Sequence, residues 1–207
     1  MIRRLFVLAF TAASLALPLA SQAADTIDVG GVKLDTTAQV GGAKLQLNGS
    51  GVRYKAIFKV YSAGLYLNAK ATTPEQVLSN TGPRRMHIVM LREIDANELG
   101  KLFTKSMEQN ASREEFSKII PGVIKMGEIF AARKKLNAGE YFSIDYIPGQ
   151  GTSIVVMGKP AAEPIKEPEF FTALMKIWLG KSPADAQLKD ALLGVAAKQG
   201  APKDPFN

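Results

Sequence analysis

The alternation of hydrophobic and polar positions changes period several times along the chain, and each change predicts an element. Val29-Gly-Gly-Val-Lys-Leu34 and Val40-Gly-Gly-Ala-Lys-Leu45 resemble each other. Each reads as strand, tight Gly-Gly turn, strand, because glycine supplies the positive φ of a two-residue hairpin turn. Together they predict an N-terminal β-meander. Val52 to Leu67 reads as one long or bent strand, or two in succession, with Gly64 marking a bulge or a close backbone approach. Arg85 to Glu93 carries apolar residues on both faces, the pattern of a strand covered on both sides.

From Asp95 the period becomes helical. Asp95-Ala-Asn-Glu98 has the form of a capping box and predicts a helix to about Asn110; Ser112-Arg-Glu-Glu115 opens a second. Phe116, Ile119, Ile120, Val123, Gly127 and Phe130 give that second helix an apolar face. Pro121 is expected to kink or split it, and Asn137-Ala-Gly139 to end it. Tyr141–Ile147 and Thr152–Met157, joined by Pro148-Gly-Gln-Gly151, form a hairpin pattern. After a proline-interrupted connection from Pro160 to Pro168, Glu169 to Leu179 predicts a third helix with Phe170, Leu174, Ile177 and Trp178 inward and Gly180 closing it. Ser182-Pro183 predicts a fourth, with Pro183 at the first helical position and Leu188, Leu192 and Val195 inward. The tail from Gly200 is expected to be loose. Runs of strands followed by runs of helices indicate α+β: one domain, with a large antiparallel sheet and helices packed on it.

The first residues change the picture of where this domain works. Met1-Ile-Arg-Arg4 is basic, Leu5 to Leu19 is almost continuously apolar, and Ser21-Gln-Ala23 has small residues at the spacing of a cleavage site. This predicts a signal peptide over residues 1–23, cleavage after Ala23, a mature domain over 24–207, and a periplasmic address. No second long apolar run follows, so no integral membrane segment is expected in the mature chain. The chain has no cysteine, so its stability rests on packing, and thiol catalysis and thiolate metal sites are excluded. The formal net charge is +7, and +5 once Arg3 and Arg4 leave with the leader. The basic residues are scattered, which favours a solvated surface over nucleic-acid binding and leaves a mild attraction to anionic ligands or membrane surfaces.

Candidate chemistry is sparse. His87 is the only histidine, which rules out a multi-histidine metal site, and it sits in a strand pattern that suits a structural role. No phosphate-loop or dinucleotide fingerprint is present; the glycines of Asn48-Gly-Ser-Gly51 are expected to turn the chain tightly before Arg53. No metal or organic cofactor is indicated. Arg53, Tyr61 and Tyr66 remain. On a flat strand Arg53 and Tyr61 share a face and Tyr66 points the other way. Arg53 beside apolar strand residues either anchors the polar end of an apolar ligand or pairs with an internal carboxylate while Tyr61 fills core.

Leu47-Asn-Gly-Ser-Gly-Val-Arg53, Phe58-Lys-Val-Tyr-Ser-Ala-Gly-Leu-Tyr-Leu67 and Phe170-Phe-Thr-Ala-Leu-Met-Lys-Ile-Trp-Leu-Gly180 resemble the chalcone isomerase-like family, in its exported bacterial branch, over about Gly30 to Gly194. The resemblance implies an open-faced β-sandwich, with a large antiparallel sheet and helices layered on one face. The family's isomerases close a chalcone by adding a phenolate oxygen to an enone, with an arginine at the position of Arg53. Where they carry a threonine, a tyrosine and an asparagine, this chain has Tyr61, Leu102 and Gln109. Leu102 has no hydrogen to donate to a substrate carbonyl, which removes electrophilic help from enone activation. The family's fatty-acid-binding members pair an arginine with a tyrosine around a carboxylate, and Arg53 with Tyr61 is similar to that pair. The resemblance thus implies a non-catalytic periplasmic binder of a fatty acid or similar amphipathic carboxylate, with Arg53, Tyr61 and Gln109 as ligand-binding residues. An intramolecular lyase of the isomerase type and a ligand-free structural or interaction protein are the alternatives. Nothing in the sequence sets the oligomeric state.

Overall fold

The computed structural model describes residues 25–195. The expected leader, its cleavage site and the tail from Gly200 lie outside them. Among the described residues eleven strands and five helices follow one another: β1 (Thr26–Val29), β2 (Val32–Asp35), β3 (Thr37–Val40), β4 (Ala43–Lys55), β5 (Phe58–Leu67), α1 (Pro74–Leu78), β6 (Arg84–Met90), β7 (Ile94–Asp95), α2 (Ala96–Asn110), α3 (Arg113–Ala131), β8 (Lys135–Leu136), β9 (Tyr141–Ile147), β10 (Gly151–Val156), β11 (Lys159–Pro160), α4 (Pro168–Leu179) and α5 (Ala186–Leu192). Seven strands form one curled antiparallel sheet in the order β11-β10-β9-β6-β5-β4-β3, with helices on one face. No helix among the described residues is long and apolar enough to cross a membrane.

Both Gly-Gly pairs turn hairpins as expected, with positive φ at Gly30, Gly31, Gly41 and Gly42. They do not form one meander. β3 joins the edge of the main sheet beside β4, whereas β1 and β2 pair only with each other. Val29 and Leu34 carry this detached hairpin across the face opposite the helices, against Val89, Val52 and Tyr141, and the Ser62 hydroxyl donates to the Val29 carbonyl at 2.6 Å. That hairpin covers the second face of β6, which explains the apolar residues on both its sides.

The stretch from Val52 to Leu67 belongs to two strands in succession, the second of the two forms expected, and they reverse on each other rather than continue as one flat strand. The chain does not turn at Asn48-Gly-Ser-Gly51, which runs within β4 and pairs with β5; it turns at Ala56-Ile57, with Ala56 at φ 52, and β5 returns antiparallel to β4 with Arg53 opposite Tyr61. The turn has no glycine, asparagine or proline, the residues that normally mark one. Gly64 marks neither a bulge nor a close backbone approach; it is crowded by side chains, and a Cβ there would lie 3.1 Å from Leu47 and Tyr66 side-chain atoms. Tyr61 and Tyr66 do point to opposite faces. Tyr61 enters the main core; Tyr66 packs with Val40 and Leu45 and donates to the Asp35 carbonyl at 2.8 Å.

The helices sit close to their expected places. Asp95 caps α2 by accepting from the Glu98 amide at 3.0 Å, but Glu98 does not return the bond and reaches Lys101 instead. Ser112 and Glu115 form the complete box on α3. Pro121 lies inside α3 without splitting it, and the helix ends at Ala131, before the expected stop. Ile120, expected inward, is exposed. The short helix α1, opened by a Thr73–Gln76 capping box, was not expected. α5 begins at Ala186 with Asp185 as its cap, later than Pro183, and Val195 is exposed. α4 is buried almost all round because it lies between the sheet and α2 and α3, and Gly180 closes it with its backbone N–H bonded to the Lys176 carbonyl.

On the face away from the helices, His87 shares a 2.8 Å hydrogen bond with the Ser143 hydroxyl and leans on the Tyr141 ring. Arg85 is held beside it by a bidentate pair with Asp145 at 2.6 Å. Burial, helped by Arg85 and opposed by Asp145 and Asp35, pushes the imidazole pKa down to about 4. The folded state therefore prefers neutral His87. Its contribution is fully present above the unfolded value near 6.5 and is lost as pH falls from there towards 4, by at most about 3 kcal/mol. His87→Gln is expected to flatten the fall in melting temperature across that window. An unchanged pH profile in the variant would show that His87 titrates normally.

Candidate functional site

Between the sheet and α2 lies a cavity of about 410 Å³. Arg53 and Lys55 at the end of β4, with Val60 and Tyr61 near the start of β5, form its sheet side. Leu99, Leu102, Phe103, Lys105, Ser106 and Gln109 face it from α2, at the three- and four-residue spacings that share a helix side. Ile94, Ile177 and the Ser182-Pro183-Ala184 loop close the rest. Leu102 and Lys55 are both solvent-exposed lining residues, so the cavity opens to solvent between the β4–β5 hairpin and α2.

Arg53, Tyr61 and Gln109, chosen on sequence, thus line one cavity together with Leu102. The hairpin turn brings Arg53 and Tyr61 onto the same face as cross-strand partners. Tyr61 is 4 % exposed and its oxygen accepts from Trp178 Nε1 at 2.9 Å. Burial pushes its pKa up to about 12, against the Trp178 bond and the Arg53 charge. The phenol therefore keeps its proton, and that proton has no protein acceptor among the described residues.

Arg53 Nη1 donates to the Tyr54 carbonyl and lies 3.5 Å from Asp185 Oδ2. Asp185 was not foreseen, although an Asp just ahead of an apolar helical run is a cap signal. It has other commitments: Oδ1 accepts from the Gln187 and Leu188 amides at 2.9 and 3.1 Å, and Oδ2 from the Tyr54 amide at 3.1 Å. The contact with Arg53 is long, and the remaining guanidinium N–H groups make no hydrogen bond to described residues. Both sequence alternatives for Arg53 are therefore present together: a loose carboxylate partner and a place in the cavity wall.

Lys55, Lys105 and Ser106 were also missed. The last two lie one turn from Leu102 and Gln109, so the helical period alone could have found them. Neither lysine forms an ion pair among the described residues. The cavity lining holds three cations, a neutral phenol, an amide and hydroxyls over apolar walls, and no carboxylate. Among the described residues no group of three or more His, Asp or Glu is placed to hold a metal ion.

No curated protein matches the chain. Among solved structures the fold is similar to a fatty-acid binding protein of Arabidopsis thaliana, at 13 % identity and a TM-score of 0.65, covering 83 % of this chain and 97 % of that one. At that identity the likeness is one of fold: a curled sheet with helices on one face. The family described as chalcone isomerase-like matches residues 26–194, nearly all of the described chain. The chain belongs to the chalcone isomerase-like family.

Proposed function

We propose that this protein is a non-catalytic binder of a fatty acid or a similar amphipathic carboxylate. The observation that carries the reading is the cavity lining: Arg53, Lys55 and Lys105 without a carboxylate, above Val60, Ile94, Leu99, Phe103 and Ile177. A guanidinium gives a carboxylate charge-assisted bonds, the Tyr61 phenol adds a donor, and the apolar walls take the chain. The volume lies within the roughly 300–1,000 Å³ of small-molecule pockets. The Arabidopsis protein of similar fold is a fatty-acid binding protein, which is consistent with this reading. Leu102 at the mouth offers no proton donor where the family's isomerases carry a tyrosine, so the reading is of binding and not of chalcone closure. We place the protein in the periplasm, released from a leader over residues 1–23.

One observation favours a second reading. Arg53 already has Asp185 at 3.5 Å, as in a ligand-free structural protein. Native mass spectrometry of the exported protein, purified without detergent and then extracted, separates the two. The expected result is a chain beginning at Ala24 that carries, or takes up when offered, a long-chain fatty acid. A protein that stays empty in the presence of fatty acids would leave the structural reading standing. A chain retaining residues 1–23 would contradict the address.

A further inference from the structure

The tip of the β4–β5 hairpin is the most exposed apolar feature of the described chain. Ile57 is 84 % exposed, Phe58 56 % and Tyr54 37 %, and residues 54–59 are exposed without interruption. Single exposed apolar residues are ordinary; adjacent ones at a projecting turn are not. The turn places Ala56 at φ 52, a conformation that disfavours any residue with a Cβ. Cations ring the tip. Lys55 and Lys59 flank it along the strands, and the Arg92 guanidinium lies 5.3 Å from the Phe58 ring centroid. The nearby acids are engaged: Glu93 with Lys135 at 2.7 Å, and Asp185 with the start of α5.

We propose that this tip docks on an anionic lipid bilayer surface. Ile57 and Phe58 enter the headgroup–acyl boundary while Lys55, Lys59 and Arg92 meet the lipid phosphates. A tip of this size is too small for the ~800 Å² per partner of a stable protein interface. An apolar point within a basic ring matches a negatively charged bilayer, where basic side chains stay at headgroup level and apolar ones sink. The same hairpin forms one wall of the cavity and borders its mouth: Arg53, Lys55, Val60 and Tyr61 lie just behind the tip, with Lys105 and the exposed Leu102 on the facing lip. Docking therefore turns the mouth towards the membrane, where an amphipathic carboxylate would be taken up or released. This loading role rests on the carboxylate-binding reading; the docking itself does not.

The test is co-sedimentation of the mature protein with vesicles of phosphatidylcholine alone, and of phosphatidylcholine with phosphatidylglycerol in equal parts. The wild type is expected on the anionic vesicles, less so as salt rises. Ile57→Ser with Phe58→Ser is expected to lower partitioning about ten-fold or more, from the lost apolar burial. Lys59→Gln with Arg92→Gln is expected to lower it several-fold and to weaken the salt dependence. Since these side chains are exposed, both variants should melt like wild type. The apolar variant should keep its affinity for dissolved fatty acid but acquire it more slowly from vesicles. Wild type that ignores anionic vesicles, or variants that bind them equally well, would overturn the docking. A dimer in sedimentation that the apolar variant dissolves, without vesicle binding, would overturn it in favour of a second copy of the chain. Vesicle binding without fatty-acid uptake would sustain the docking and overturn the carboxylate reading instead.

Discussion

Arg53→Met is expected to weaken binding of a long-chain fatty acid about ten- to hundred-fold and to leave the melting temperature close to wild type. The first half follows from the strength of charged hydrogen bonds, about 1.5–3 kcal/mol each in net terms. In the cavity Arg53 is the cation opposite the Tyr61 phenol, and it has N–H groups without a partner among the described residues. The second half follows from what Arg53 does for the fold. Its side chain is 24 % exposed, and its contact with Asp185 is 3.5 Å. Asp185 is 12 % exposed, but an ion pair as long as this one adds little, about 0–1 kcal/mol. Removing it does not strand Asp185, whose oxygens also accept from the Tyr54, Gln187 and Leu188 amides. Methionine keeps the apolar stem. Arg53→Lys should fall between the two, keeping the charge but losing the planar fork. Titration calorimetry with a soluble fatty acid reads the effect. Undiminished affinity in Arg53→Met would move the carboxylate to Lys55 or Lys105.

Trp178→Ala is expected to have the largest effect on stability, a loss of about 3–5 kcal/mol. The indole is wholly buried, stands edge-on to Phe103 with centroids 5.4 Å apart, and donates to Tyr61. Truncation leaves a void between α4, α2 and the sheet and takes away the partner of the Tyr61 oxygen. For a domain whose total stability is about 5–15 kcal/mol, this is at least about a fifth of the whole. Urea unfolding should show the midpoint falling with little change in slope. Trp178→Phe retains most of the packing and removes the Nε1–H, so it should lose less stability while loosening Tyr61. The expected signature is a few-fold weaker ligand with Arg53 untouched. A Trp178→Ala protein within about 1 kcal/mol of wild type would mean that the core collapses around the gap.

What was legible in the sequence was mostly local. Two Gly-Gly pairs announced their hairpins because few other residues take positive φ at both turn positions. The Ser112–Glu115 box opened α3 as expected because both of its bonds are made within one turn. What was hidden depends on distant partners. The detachment of β1–β2 follows from Val29 and Leu34 packing on Val89 and Val52, far along the chain, and nothing within the repeat distinguishes it from β3–β4. The turn at Ala56-Ile57 was illegible because its residues are not turn formers.

The site shows the same division. Arg53 and Tyr61 were expected on one face of a flat strand; they share that face because the chain doubles back and pairs them. Leu102 and Gln109 came from the family resemblance, and both line the cavity. Lys105 and Ser106 were available from the period of α2. Asp185 carried a cap signal, but its approach to Arg53 depends on how α5 docks beside β4 and could not be read from either segment alone.

The most direct test is a crystal structure of the mature protein grown with a long-chain fatty acid. The expected result is a carboxylate within about 3 Å of the Arg53 guanidinium and the Tyr61 hydroxyl, with the chain running between Leu99, Phe103 and Ile177. An empty cavity in which Arg53 has closed onto Asp185, or a ligand bound elsewhere, would contradict the binding of a carboxylate at this site.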